Sequence, residues 1–371
     1  MPGDRPARDS RELDREIADT FPASDAPSHS PVVGVGAPKH EAFRRRDELA
    51  IGFALSSEES HPKKLVRLAR IAEESGLDFL SVSDHYHPWL SAQGNSPFVW
   101  SVLGGIATAT SRINVMTGVT CPIMRIHPAI IAQAAATVAD MMDGRFCLGL
   151  GTGEALNELV TGERWPSARE RLARLREAIA IIRELFSGER IDFDGDYYTV
   201  SDARLFTRPQ RPPAILVAAA APASARLAAG QDGLIATNPN ADLVREYESA
   251  GGAGKPRVGQ VTLCWDESED DARRIARKYW ATTVLGWEVR SWVSTPEMFE
   301  DITKDVTEEE VAKNIPCGPD LSKALEQLRS FRDAGFDHVY IHQVGPKQEE
   351  FLAVLRDRLL PELRKEARRA A

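Results

Sequence analysis

The feature that most restricts the fold of this chain is a rhythm. Short apolar runs, too brief for helices, alternate with longer segments whose apolar residues recur every three or four positions. Ala50-Ile51-Gly52-Phe53-Ala54-Leu55 is the first run. Behind it, Leu65, Leu68, Ala69 and Ala72 fall at i, i+3, i+4 and i+7, which sets one apolar stripe on a helix that stops near Gly76. Comparable runs follow at 79–83, 113–119, 145–150, 215–219, 233–237, 258–265 and 338–342. Helical patterns separate them at 128–142, at 168–186 with a stop at Gly188, and at 321–334. Eight strands alternating with helices, none paired as a hairpin, predict an α/β fold of the (β/α)8 TIM-barrel type rather than an open sheet.

Residues 1–47 are rich in Pro, Ser, Asp and Arg and lack the apolar core of a signal peptide. They read as a mostly mobile extension, leaving 48–371 as a single barrel domain. Residues from about 267 to 319 exceed what one strand-to-helix connection needs and predict a helical insertion over one end of the barrel. A small excursion at 192–200 carries Tyr197 and Tyr198. A net charge of −9 and a pI near 5.5 argue against nucleic acid as the main partner. No apolar run is long enough to span a membrane. Cys121, Cys147, Cys264 and Cys317 are scattered without C-x-x-C spacing, which suits a reduced, cytoplasmic protein without a metal site.

In a barrel of this kind the loops after the strands build the active site at the C-terminal rim. Glu58 follows strand one, Asp84 and His85 strand two, Gly118 and Val119 strand three, and Glu154 strand four. An Asp beside a His can orient an imidazole and tune it for proton transfer, although such a pair alone is more often an ordinary turn with its His in solvent. Three acids, an imidazole and Trp89 meeting in one pocket suit proton transfer coupled to a redox step. Gly151-Thr152-Gly153-Glu154 permits close backbone approach by a ligand. Trp265, Trp280, Trp287 and Trp292 could wall a pocket or simply pack the insertion, and His87, His127, His338 and His342 read as structural.

Several stretches are jointly specific: Val82-Ser83-Asp84-His85 through Pro88-Trp89, Pro128-Ala129-Ile130-Ile131-Ala132-Gln133, Gly149 to Glu158, Arg164-Trp165-Pro166, and Asp192-Phe193-Asp194-Gly195-Asp196-Tyr197-Tyr198. Through them the chain, from Ile51 to its C-terminal helix, resembles the F420-dependent glucose-6-phosphate dehydrogenase group of the luciferase-like flavin and deazaflavin oxidoreductases. The resemblance implies coenzyme F420, a homodimer, and hydride transfer in either direction between the carbinol carbon of an alcohol or sugar and C5 of the deazaflavin. It implies that His85 is the base for the hydroxyl proton, Glu154 the acid near N1, Trp89 a wall that positions substrate, and Glu58 an acid near the substrate. Asp84 would contact the cofactor and help hold His85. Gly118 and Val119 match a cis peptide behind the ring, and Thr152, Gly153, Asn157, Ala220 and Ala221 complete the cofactor contacts.

The chain also departs from that pattern. Ala218-Ala219-Ala220-Ala221-Pro222 stands where relatives have two glycines before the proline, which questions the close approach and any positive φ there. On the substrate side, matched to Trp89, Thr237, Asn240 and Asn314, the first lysine of the sugar-phosphate members falls at Asn240 and their arginine at Asn314. A second lysine has no clear match between Gly286 and Ser294, and Arg290, Lys304 or Lys313 could stand in. Losing charge-assisted contacts of roughly 1.5–3 kcal/mol each predicts a non-phosphorylated substrate. An FMN-dependent luciferase-like monooxygenase is the alternative reading, and a non-catalytic cofactor carrier a third.

Overall fold

The computed structural model describes residues 43–370, with side chains to residue 365. Most of the proposed extension, residues 1–42, lies outside the described residues. Eight parallel strands close into a barrel: β1 (Ala50–Leu55), β2 (Phe79–Val82), β3 (Asn114–Thr117), β4 (Phe146–Leu150), β7 (Ala214–Ala218), β8 (Gly233–Ala236), β9 (Arg257–Leu263) and β10 (His338–Gln343). They pair in that order, and β10 returns to β1 through Ala50↔His338 and Phe53↔Ile341. The eight expected runs are these strands, each within a residue or two of the predicted bounds.

Because strand side chains alternate, each run supplies two cores. Along β1, Ala50 and Ala54 point into the barrel with Phe79, Met116, Cys147, Leu216, Ile235, Val258 and Tyr340. Ile51, Phe53 and Leu55 point outward and bury against the helical ring. Helix Pro62–Glu74 covers that layer with Leu65, Leu68, Ala69 and Ala72, as its spacing predicts. Gly52 has a steric reason to be glycine: a Cβ there would stand 2.7 Å from the Phe79 ring that fills the barrel floor.

Two expectations need adjusting. The barrel engages the chain before residue 48, because Phe43 is buried and stacks at 5.0 Å from Phe79 and 5.3 Å from His338. An apolar ring closing the barrel floor excludes water there, so residues 43–47 belong with the domain. The excursion after helix Ala168–Ser187 is an antiparallel pair, β5 (Ile191–Asp194) and β6 (Thr199–Ala203). Tyr198 anchors it, its hydroxyl donating to the Ile123 carbonyl at 2.8 Å.

The insertion forms helices Glu269–Trp280, Trp287–Trp292, Pro296–Thr303 and Glu308–Asn314. Val293, Ala281 and Phe299 bury against Trp89, Leu90 and Leu156, so the insertion sits on the rim where the loops after β2 and β4 emerge.

Candidate active site

Each strand of the first half delivers its last residues to the same rim. Glu58, on the turn after β1, is buried, and its carboxylate accepts from the hydroxyls of Ser83 (2.5 Å), Ser56 (3.0 Å) and Ser57 (3.3 Å). Its other oxygen lies 3.3 Å from His85 Nε2. Burial works to raise the Glu58 pKa, but the His85 imidazole and the Ser83 hydroxyl outweigh it and hold the carboxyl below its usual range. His85, on the loop after β2, keeps an 11% exposed side chain, which leaves an approach for a ligand. Its Nδ1 lies 3.2 Å from both the His87 carbonyl and Asn157 Nδ2.

Asn157 is the hinge of the cluster. Its Nδ2 also donates to Glu154 Oε2 at 3.2 Å, while its Oδ1 accepts from the backbone N–H groups of Tyr86 and His87. One side-chain amide therefore touches the imidazole and the carboxylate and fixes the loop that carries the imidazole. Glu154 precedes the short helix Ala155–Glu158, and Gly153 before it has φ +68°, a left-handed turn that favours glycine. Thr152 and Gly153 are partly exposed at this turn. Two guanidiniums from different elements feel the Glu154 carboxylate electrostatically: Arg171 of helix Ala168–Ser187 and Arg290 of the insertion. Burial lowers the pKa of both, Glu154 pulls in the opposite direction, and each Nε is buried without a hydrogen-bond partner.

Trp89 closes the other side. Its ring lies 5.3 Å from His85, 5.4 Å from Phe299 and 6.5 Å from Trp280. Trp280 therefore serves the wall by packing, while Trp287 and Trp292 are 42% and 58% exposed on the insertion. Gly118-Val119 is a cis peptide, and a Cβ at Gly118 would fall 2.0 Å from Ser81 Oγ.

The structure assigns Asp84 differently from the expectation that it holds His85. Its two oxygens accept from Arg125 Nη2 and Thr120 Oγ1, both at 2.8 Å, and neither hydrogen-bonds to the imidazole of His85. Glu58 and Asn157 do that instead. Arg125, which the sequence reading missed, also approaches Glu158 at 3.6 Å. Burial pushes Glu158 up to about 7, with Arg125 pulling against it. A lone arginine in the loop after strand three gives no periodic signal, and only its burial between two acids reveals it.

The remaining positions diverge. Ala220 and Ala221 precede helix Pro222–Ala229, where their N–H groups donate to Ser224 Oγ and Ala221 has φ −141°. Alanine therefore fits this backbone, and the concern over a positive φ is removed. Thr237 is exposed. Asn240 Oδ1 caps helix Ala241–Tyr247 by accepting from Asp242 and Leu243 N–H groups. Asn314 is exposed and donates to the Glu310 carbonyl of its own helix. Neither asparagine bonds to the His85 cluster, because each amide is spent on a helix end.

Residues 49–338 match the luciferase-like monooxygenase family. The chain is 37% identical over 330 residues to the F420-dependent glucose-6-phosphate dehydrogenase of Amycolatopsis mediterranei (strain U-32), covering 85% of this chain and 99% of that one. It is 38% identical over 331 residues to the enzyme of the same name from Kribbella flavida, covering 85% and 99%. Among solved structures it is similar to an F420-dependent secondary alcohol dehydrogenase in complex with an F420-acetone adduct. That likeness has a TM-score of 0.77 and 28% identity, covering 84% of this chain and 98% of that one.

Proposed function

Since the chain belongs to the F420-dependent glucose-6-phosphate dehydrogenase-like group of the luciferase-like family, we propose that it oxidises or forms a non-phosphorylated alcohol or sugar through the His85–Asn157–Glu154 cluster. It is an F420-dependent oxidoreductase acting on CH–OH groups. The bound deazaflavin supplies a hydride acceptor at C5. The donor set fits such a group: Arg171 and Arg290, each with a buried Nε that has no hydrogen-bond partner and each acted on electrostatically by Glu154, suit a ring edge that gains negative charge on reduction.

The observation that carries this reading is the Asn157 amide, within 3.2 Å of both a base and an acid. His85 takes the hydroxyl proton, and the Glu58 carboxylate stabilises the imidazolium that results. Glu154 holds a proton at the ring edge, and Trp89 orients the carbinol carbon between them. Thr152, Gly153, Gly118, Val119, Ala220 and Ala221 line the cofactor's place, and Asp84 holds that floor through Arg125.

Capping duty at Asn240 and Asn314 supports a substrate without a phosphate dianion, since neither position offers a cation. Purified protein loaded with F420 should turn over neutral alcohols faster than glucose 6-phosphate. Equal or faster turnover of the phosphate ester would sink the substrate assignment. Titrating cofactor-free protein with F420 and with FMN separates the deazaflavin reading from the monooxygenase one, since F420 should quench the protein's fluorescence at far lower concentration.

A homodimer is supported by an apolar groove between helices Val99–Ala109 and Pro128–Met141, where Phe98, Ile130 and Met141 are 53%, 55% and 43% exposed. No helix among the described residues is long and apolar enough to cross a membrane.

A further inference from the structure

The loop after β2 and the short helix after β4 are joined twice. His85 lies 3.2 Å from Asn157, and the residues beside them in the chain, Asp84 and Glu158, meet through a third side chain, Arg125. Arg125 belongs to the loop between β3 and helix Pro128–Met141, an element that carries neither the imidazole nor the Glu154 carboxylate. Its Nη2 donates to Asp84 Oδ1 at 2.8 Å, its backbone N–H donates to Glu158 Oε2 at 2.9 Å, and its Nε lies 3.6 Å from Glu158 Oε1. The side chains of Arg125, Asp84 and Glu158 are 8%, 0% and 1% exposed, so the guanidinium meets both acids largely out of contact with water. The same loop braces each partner a second time. Thr120 Oγ1 donates to the other Asp84 oxygen, while the Cys121 sulfur and Glu158 Cγ pack under the Gly153 turn, where a Cβ would stand 2.5 Å and 3.0 Å from them. Glu154 is the next residue. Asn157 grips the β2 loop at His85 and at the N–H groups of Tyr86 and His87. Arg125 grips it at Asp84, on the other side of His85. A loop held on one side of the imidazole can still turn about that hold, whereas one held on both sides cannot.

We propose that Arg125 is a positioning residue for the reaction: by bridging Asp84 to Glu158 it fixes the separation and angle between His85 and Glu154. This rests on the assignment of His85 as base and Glu154 as acid. Arg125 hydrogen-bonds to neither of them and exchanges no proton, so it acts only through the two acids it holds. A guanidinium suits that task because it stays charged and presents donors from separate nitrogens in a fixed plane, which a lysine ammonium does not. Transfer of a proton and a hydride demands aligned atoms, and a misplacement of about 1 Å costs about a hundredfold in rate. Binding of the alcohol is less exacting. The Trp89 wall is packed by Phe299 and Trp280 of the insertion, so its hold on substrate does not run through Arg125. Loss of the bridge should therefore fall on kcat and spare KM.

The test uses the full chain saturated with F420, a neutral alcohol that it oxidises, and pH 8, where Glu158 with its pKa of about 7 is charged. Asp84→Asn and Glu158→Gln each remove the charge from one end of the bridge and keep its shape. Each should lower kcat about tenfold, with KM for the alcohol within about threefold of wild type. Together they should cost no more than about twentyfold, because the bridge is already open once one end is lost. Two acids with separate roles would instead multiply to about a hundredfold. Arg125→Met removes the bridge itself and should match the double variant, which keeps the comparison open if that variant fails to fold. In cofactor-free protein, the imidazole NMR signals of His85 should move in Glu158→Gln, although Glu158 makes no hydrogen bond to the ring. A kcat at the wild-type level in the single variants, a hundredfold loss in the double, a KM rise that matches the fall in kcat, or unmoved His85 signals would overturn the bridge and leave His85 as base untouched. Turnover surviving in His85→Ala would instead remove the base that Arg125 is said to position.

Discussion

At the scale of single residues, the candidate site is held by polar partners that set both the charge and the position of its groups. Glu58 is the plainest case, a buried carboxyl held charged by an imidazole on one oxygen and hydroxyls on the other. His85→Ala should therefore lower kcat by about two to four orders of magnitude, while fluorescence quenching shows F420 still bound. A Kd for F420 weakened as much as kcat would show that His85 serves binding rather than chemistry. Glu158 offers a pH signature of opposite sign. Its folded pKa of about 7 lies above the unfolded value, so the folded state holds the extra proton and stability falls as pH rises from near 4.5 to 7. The loss is bounded by about 3 kcal/mol. Urea unfolding at pH 5 and pH 7.5 should show Glu158→Gln losing less stability over that interval than wild type; an equal loss in both proteins would place the titrating group elsewhere.

At the scale of elements, the rim is precise because the strands that deliver it are packed without slack. Thr117 and Gly149 show this on β3 and β4, where the Thr117 hydroxyl donates to the Gly149 carbonyl at 2.8 Å and receives the Gly149 N–H at 3.0 Å. A Cβ at Gly149 would stand 2.0 Å from the Thr117 carbonyl oxygen, a backbone atom that cannot swing aside. Gly149→Ala should thus prevent folding or force the two strands apart, and circular dichroism of the purified variant with a wild-type melting curve would contradict that. The insertion is held differently, by side chains rather than by a ladder. Phe299, fully buried beside Trp89, is its anchor. Phe299→Ala should loosen the wall and raise KM for the alcohol more than it lowers kcat, because the role proposed for Trp89 is to orient substrate without exchanging a proton. A kcat loss with unchanged KM in steady-state assays would contradict that division of labour.

At the scale of the whole molecule, the exposed groove of Phe98, Ile130 and Met141 is the surface on which assembly should turn. Light scattering behind a sizing column should give twice the chain mass for wild type and the single mass for Ile130→Asp, with the barrel's circular dichroism unchanged. A wild-type monomer at tens of micromolar would remove the dimer. The sequence by itself determined the barrel, because eight buried runs at strand length separated by helical stripes leave no other economical way to cover both faces of each strand. It also set Glu58, His85 and Glu154 each just past a strand end, where the closed barrel brings them to one rim. Only the tertiary structure decided who holds whom. Asp84 sits next to His85 in the chain yet bonds to Arg125, while Glu58 and Asn157, far away in sequence, hold the imidazole. The physical reason is that strand and helix periods are written in neighbouring residues, whereas a buried charge pairs with whatever the closed barrel brings within about 3 Å, and closure is a property of no single segment.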